Sequence, residues 1–307
     1  MKIGSFETEN DLFLAPMAGY TNIAFREQCK KFGAGLTTTE MISAKGLIYD
    51  SEKTKELLYT SSLETPKVVQ IFGHEPQVMF DAIRHPALEQ FDIIDINMGC
   101  PAPKITKNGE GSFLMTKPEL AAELVKSCVS ASNRPVTVKM RIGYDEDNSV
   151  LFAKEIERAG ASVITVHGRL KSQGYSGKAN YEAIALVKKA VDIPVVANGD
   201  VVDISSYEII KEITHADAVM IGRAAVGNPH IFAEILGLDI PFDKFSCIKE
   251  QFELLLKFYD ERYVVTNMRK QIVHVLKGHG LSNETKLAIL SENSAEKVID
   301  MLENILN

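Results

Sequence analysis

One recurring feature narrows what this chain can fold into. Short apolar, often β-branched runs return eight times, and each is cut off by a polar residue or a turn. Residues 12–15 stop at Pro16, 36–39 at Glu40, 68–69 at Gln70 and 93–96 at Asn97. Residues 136–138 stop at Lys139, 163–166 at His167, 195–197 at Asn198 and 218–221 at Gly222-Arg223. Between the runs lie helical stretches at 22–32, 118–130, 148–159, 181–191 and 205–214. Pro118 suits a first helical turn, where its missing N–H costs nothing, and Gly160 is a stop signal. Strand–helix alternation with near-continuous apolar strands predicts a parallel sheet covered by helices. Eight units favour a closed (β/α)8 barrel, the α/β TIM-barrel architecture. An open doubly wound sheet is the structural alternative, but no GxGxxG turn follows the first strand.

In either fold, chemistry gathers at the carboxyl ends of the strands. Gln70, Asn97, Lys139, His167, Asn198 and Arg223 all fall there. Loops meeting water would explain one or two polar ends. Six in succession predict a mouth built for a polar ligand. The stretch 92–101 adds a cysteine. The strand of Ile93, Ile94 and Ile96 stops at Gly99-Cys100-Pro101, which lifts Cys100 onto a mobile turn at the mouth. The competing reading of Cys100 is a small buried apolar residue.

Two late loops look shaped for a phosphate. Asn198-Gly199-Asp200 follows strand seven, and Gly222-Arg223 follows strand eight and opens a helix. Loops seven and eight with a helix N-terminus form the usual phosphate cradle of this barrel. A phosphate there puts the body of a cofactor over the mouth, beside Gln70 and Lys139. A lysine at a buried strand end needs an anionic or carbonyl partner. The pyrimidine side of a flavin is one candidate, and a salt bridge to Glu40 is the other.

Bulk properties bound the rest. The 307 residues fit one large domain or a domain with an appendage, and the net charge of −7 excludes a generally basic coat. Cys29, Cys100, Cys128 and Cys247 are too scattered for a zinc motif or a disulfide framework, so no metal and a reduced, cytoplasmic setting are expected. No apolar run approaches the roughly 18 residues needed to cross a bilayer, and the N-terminus lacks a signal core. Residues 244–307 read as helices, with Phe252, Leu255, Leu256, Tyr259 and Tyr263 at helical spacing, then Val298, Met301, Leu302 and Ile305. The expected division is a barrel over 1–240 and a small helical domain over 244–307.

The chain resembles the tRNA-dihydrouridine synthases, with the spelling of their bacterial B-type branch. The resemblance rests on Ala15-Pro16-Met17-Ala18-Gly19-Tyr20-Thr21, Gln70-Ile71-Phe72-Gly73 and Asp95-Ile96-Asn97-Met98-Gly99-Cys100-Pro101. It continues through Val138-Lys139-Met140-Arg141, His167-Gly168-Arg169, Asn198-Gly199-Asp200 and Gly222-Arg223-Ala224. It implies an FMN-dependent enzyme that reduces uridines of tRNA with NADPH. By that resemblance Pro16, Met17 and Ala18 line the flavin, and Gln70, Lys139 and His167 contact it. Asn198, Gly199, Asp200, Gly222 and Arg223 hold its phosphate end. Asn97, Arg141 and Arg169 face the uracil, and Cys100 is the general acid. The helical domain helps hold the tRNA, with Arg269, Lys270 and Lys277 as its candidate contacts, while Lys104 and Lys107, just past Cys100, are candidates for the backbone beside the target, a solvated surface being the competing reading for each lysine. No protein partner or membrane is implied. Asn22, Leu170 and His230 depart from the family spelling.

The chemistry suits these residue types. Hydride addition at C6 of uracil leaves negative charge on C5 and O4, and C5 then needs a proton from the opposite face. A thiol with an ordinary pKa of about 8.5 is protonated at neutral pH and can give it. Three other readings share parts of the pattern: a flavin barrel acting on a free pyrimidine, a non-catalytic RNA-binding barrel, and a phosphosugar isomerase.

Overall fold

The computed structural model describes residues 1–306; Asn307 lies outside the described residues. The strands are β1 (Lys2–Ile3), β2 (Phe6–Glu7), β3 (Leu12–Leu14), β4 (Thr38–Ser43), β5 (Val68–Phe72), β6 (Ile93–Met98), β7 (Val136–Gly143), β8 (Val163–Leu170), β9 (Val195–Asn198) and β10 (Ala218–Ile221). β3 to β10 form one parallel sheet in the order β3-β10-β9-β8-β7-β6-β5-β4. A parallel bridge between Phe13 and Leu36 joins its two edges, so the barrel is closed. All eight expected strands are present. β4, β7 and β8 run three or four residues past their expected ends.

Helices cover the outside of the barrel: α1 (Ile23–Lys31), α2 (Ala44–Ile48), α3 (Glu52–Lys55), α4 (Pro76–Ile83), α5 (Pro103–Thr106), α6 (Pro118–Ala131), α7 (Ser149–Arg158), α8 (Tyr181–Ala190), α9 (Ile204–Thr214) and α10 (Ile231–Leu236). Asn22, one of the departures in spelling, caps α1 by accepting from the Phe25 N–H at 3.0 Å. His230 stacks on Phe242 with ring centroids 5.0 Å apart, so another aromatic ring fills that site.

Side chains alternate between the two faces of a strand. Along β6, Ile94, Ile96 and Met98 face the helices, while Ile93, Asp95 and Asn97 point into the barrel. The same count turns Gln70, Lys139, His167 and Asn198 inward. The interior is therefore layered. Phe13, Val68, Ile93, Val163 and Val196 fill its lower end, where the β1–β2 hairpin seats Ile3 and Phe6 against them as a plug. The upper end is polar.

After Gly237 the chain leaves the barrel and forms α11 (Lys244–Leu255), α12 (Glu261–Val275), α13 (Asn283–Ser291) and α14 (Ala295–Leu306). These helices share a second core of Phe252, Leu255, Val264, Met268, Ile272, Val298 and Leu302, which also takes in Ile23 and Ala24 of α1. Of the expected stripe, Leu256 faces solvent instead. The helices are tied to the barrel by polar contacts: Gln251 Nε2 donates to Gln28 Oε1 at 2.7 Å, Tyr259 Oη to the Glu56 carbonyl at 2.7 Å and Gln271 Nε2 to the Tyr20 carbonyl at 3.2 Å.

Candidate active site

The cysteine turn is held from several sides. Asn97 Oδ1 accepts from the Cys100 N–H at 3.0 Å and the Gly99 N–H at 3.3 Å. Arg141 Nε donates to the Gly99 carbonyl at 2.8 Å, and Ser112 Oγ to the Cys100 carbonyl at 2.9 Å. Gly111 allows the close approach: its φ is 61°, and a Cβ there would lie 2.8 Å from the Cys100 carbonyl oxygen. The expected mobile turn is thus a pinned one. Cys100 itself is half-buried and lines a cavity of about 670 Å³ shared with Met17, Gln70, Asn97, Lys139 and Arg141. Burial pushes its pKa up, against the pull of the Ala102 N–H, Arg141 and Lys139, so the thiol is protonated at neutral pH.

Below the turn, a chain of hydrogen bonds fixes two amides. Asn97 Nδ2 donates to Gln70 Oε1 at 2.7 Å, Gln70 Nε2 to Asp95 Oδ2 at 2.7 Å, and Thr137 Oγ1 to Asp95 Oδ1 at 2.6 Å. Each amide keeps one N–H for the cavity. Burial raises the Asp95 pKa, and the bonds from Gln70 and Thr137 oppose it.

Lys139 stands beside this network with one hydrogen-bond acceptor, Asn198 Oδ1 at 3.1 Å; Asn198 Nδ2 in turn donates to the Met220 carbonyl at 2.7 Å. Burial, then the Arg141 charge, lower the Lys139 pKa to about 8. Among the described residues it makes no ion pair with Glu40, which instead accepts from the Gly19 N–H. Two ammonium hydrogens are thus free to meet a ligand. The imidazole of His167 is neutral, its pKa pushed to about 2 by burial and by Lys139, Arg141 and Arg169. Arg169 Nη1 lies 3.3 Å from His167 Nε2, and a guanidinium only donates. Nε2 is therefore the acceptor and Nδ1 carries the proton, free toward the cavity.

A second cavity of about 540 Å³ continues from the first, sharing Pro16, Met17, Lys139, His167, Tyr175 and Arg223. It holds the two loops expected to cradle a phosphate. Gly199 has φ 143°, and a Cβ would sit 2.7 Å from that of Ala179, so only glycine fits. Gly222 opens a three-residue 3-10 turn, Arg223–Ala225, rather than the expected helix. The cradle is therefore loop backbone plus Arg223, without a helix dipole.

Three of the expected site residues are also engaged by the protein itself. The Asp200 carboxylate accepts from Arg169 Nη2 at 2.7 Å and the Ala179 N–H at 2.8 Å, and lies 3.4 Å from Arg223. Burial opposes its charge, but those bonds outweigh it and hold the pKa below its usual range. The carboxylate thus holds the Arg169 guanidinium and lies near that of Arg223. Arg169 lines this second cavity, not the cysteine cavity, and also donates to the Ser176 and Gly177 carbonyls. Arg141 spends Nη1 on the Leu170 and Gly174 carbonyls at 2.9 and 3.0 Å, leaving Nη2 for the cavity. Lys139 and Arg141, two apart on β7, share its inner face, as the period of a strand requires.

Two residues at the cleft, Tyr175 and His274, escaped assignment from sequence, and a third, Lys277, was expected at tRNA instead. Tyr175, exposed on the loop after β8, lies between Arg223 (4.9 Å to its ring) and Arg141 (5.9 Å). His274, in the last turn of α12, lines both cavities, and Lys277, just past that helix, lines the second. Tyr175 stood in a quoted motif without a role. His274 had no local signal, because a contact across fifty residues of intervening chain decides it. Of the expected RNA contacts, Arg269 is bound to the Glu292 carbonyl and Asn293, and Lys270 lies over the Tyr20 ring at 5.7 Å. Among the described residues, no helix is long and apolar enough to cross a membrane.

Comparison with known proteins agrees with this geometry. A family model described as dihydrouridine synthase matches residues 13–306. The chain is 38% identical over 314 residues to tRNA-dihydrouridine synthase B of Vibrio parahaemolyticus, covering 99% of this chain and 98% of the relative. It is 39% identical to that of Pseudomonas aeruginosa, covering 89% and 85%. Solved structures share the fold at low identity. Histamine dehydrogenase from Rhizobium sp. 4-9 superposes with a TM-score of 0.58 at 12% identity, over 83% of this chain and 50% of that one. A variant of NCR from Zymomonas mobilis gives 0.55 at 16%, over 77% and 89%.

Proposed function

The chain belongs to the dihydrouridine synthase family, and from that premise we propose that it is an FMN-dependent tRNA-dihydrouridine synthase that reduces the C5–C6 double bond of uridines with NADPH as electron source. The observation that carries this reading is the joined cleft, with a protonated thiol at one end, a loop cradle at the other, and Lys139 between them. The residues fit FMN. Gly199, Gly222 and Arg223 suit a phosphate. Lys139, with no carboxylate paired to it among the described residues, suits the pyrimidine edge of a flavin. Pro16, Met17 and Ala18 supply an apolar wall. The free N–H groups of Gln70 and His167 are donors of the kind a ring carbonyl or nitrogen accepts.

When bound, FMN supplies the hydride that uracil receives at C6. The chain's own part is to hold the base and deliver the proton. Cys100 donates from sulfur to C5, and its raised pKa keeps the proton available until carbanion character develops. Asn97 and the Nη2 N–H groups of Arg141 are donors toward the uracil carbonyls, where charge accumulates. The target base must leave its stack to enter the cleft, as in other base-modifying enzymes. The barrel over 1–240 carries this chemistry, and the helical region over 244–307 helps hold the tRNA. Lys104 and Lys107, just past Cys100, are candidate contacts to the tRNA backbone.

Two measurements test the proposal. The purified protein is expected to absorb near 450 nm, as flavoproteins do. Removing the gene is expected to abolish dihydrouridine at a defined tRNA position. A colourless protein, or an unchanged dihydrouridine map, would overturn it.

A further inference from the structure

The helical region does more than cover the barrel. The end of α12 lies on the loop that follows the phosphate cradle. Gly227 has φ 77°, and a Cβ there would be 3.0 Å from the backbone carbon and the Cβ of His274. The His274 ring meets Tyr20 edge-on, with centroids 5.8 Å apart, and Gln271 bonds the Tyr20 carbonyl one turn earlier. This corner of α12 is thus fixed against both the Ala15–Thr21 segment and the Arg223 loop, and it brings His274 and Lys277 to the wall of the cavity that holds Gly199 and Gly222.

The charge of that cavity is one-sided. Lys139, Arg169, Arg223 and Lys277 line it against a single carboxylate, Asp200, already bound by Arg169. Among the described residues Lys277 has no carboxylate in ion-pair contact, nor does Lys139, whereas Arg223 reaches Asp200 at 3.4 Å. Uncompensated cations facing a cavity point to an anion within it. The cradle after β10 also lacks a helix N-terminus, so cationic side chains must supply charge that a dipole supplies elsewhere.

We propose that the C-terminal helical region completes the cofactor site, with the Lys277 ammonium and the His274 imidazole binding the FMN phosphate together with Arg223 and the amides of loops seven and eight. This rests on the flavin reading above. It assigns Lys277 to the cofactor instead of to tRNA, and it makes cofactor affinity depend on how α12 is docked. The contact is charge-assisted and partly open to water, so it is worth about tenfold in affinity and weakens as salt rises.

The test uses the full chain freed of cofactor and titrated with FMN, and separately with riboflavin, which lacks the phosphate. Quenching of flavin fluorescence gives the dissociation constants. Lys277→Ala is expected to weaken FMN about tenfold and leave riboflavin unchanged. Lys277→Arg is expected to restore most of the loss, Lys277→Glu to deepen it, and His274→Ala to weaken FMN severalfold. Tight FMN binding by the parent chain with no change in Lys277→Ala would overturn the inference while sparing the flavin reading. So would equal losses for both flavins, or a loss confined to tRNA affinity. Failure of the parent chain to bind FMN would overturn both.

Discussion

Lys139→Met separates stability from function. In the folded chain the Lys139 pKa falls to about 8, mainly through burial. An unfolded lysine titrates at about 10.4, so the drop corresponds to about 3 kcal/mol against the charged form. A depressed lysine pKa means the unfolded state binds more protons between pH 8 and 10.4. Stability of the cofactor-free protein therefore rises with pH across that window, and the penalty is fully present below pH 8. Methionine removes the penalty but loses the bond to Asn198 Oδ1, worth about 1 to 1.5 kcal/mol. The net expectation at pH 7 is a gain of about 1 to 2 kcal/mol, or roughly 2 to 3 °C in melting temperature for a chain of this size. Differential scanning fluorimetry on cofactor-free protein at pH 7 and pH 10 measures it. The variant should melt higher at pH 7, lose that advantage by pH 10, and fail to turn over. Equal melting temperatures at both pH values would refute the reasoning that Lys139 is held charged, at a cost, for a ligand.

Other perturbations follow from the same geometry. Asn97→Ala orphans the Cys100 N–H and Gln70 Oε1, and is expected to cost about 2 to 4 kcal/mol and to lower kcat, read by chemical denaturation and steady-state kinetics. Gly199→Ala forces a Cβ to within 2.7 Å of Ala179 at φ 143°, so FMN affinity by fluorescence titration is expected to fall at least tenfold. Arg26→Ala leaves Glu64 buried without its partner at 2.7 Å and frees the Thr21 carbonyl beneath the Met17 loop. A loss of about 3 to 5 kcal/mol is expected by urea denaturation.

The barrel was legible because its cause is local. Apolar runs buried on both faces, each cut off by a polar residue, leave few other folds open, and those polar ends already put Gln70, Asn97, Lys139, His167 and Asn198 at the mouth. The ends of β7 and β8 were not legible, since Arg141 and Arg169 look like surface residues until their donors meet the carbonyls of Gly99, Leu170, Ser176 and Gly177. The pairing of Asp200 was hidden for a related reason: a loop carboxylate beside a glycine gives no sign that Arg169 will bind it. His274, and the place of Lys277 at the cleft, were out of reach, because both depend on how α12 lands on Gly227. The hairpin plug at residues 2–7 is too short for periodicity to reveal.

The central claim is that Cys100 delivers a proton across the cleft to a uracil held against a flavin. Purified protein with FMN, NADPH and unmodified tRNA tests it, with dihydrouridine counted by mass spectrometry for the parent chain and for Cys100→Ala. The account predicts dihydrouridine in the first case and, in the second, turnover lower by about two orders of magnitude with the flavin spectrum intact. Undiminished turnover in Cys100→Ala would contradict it.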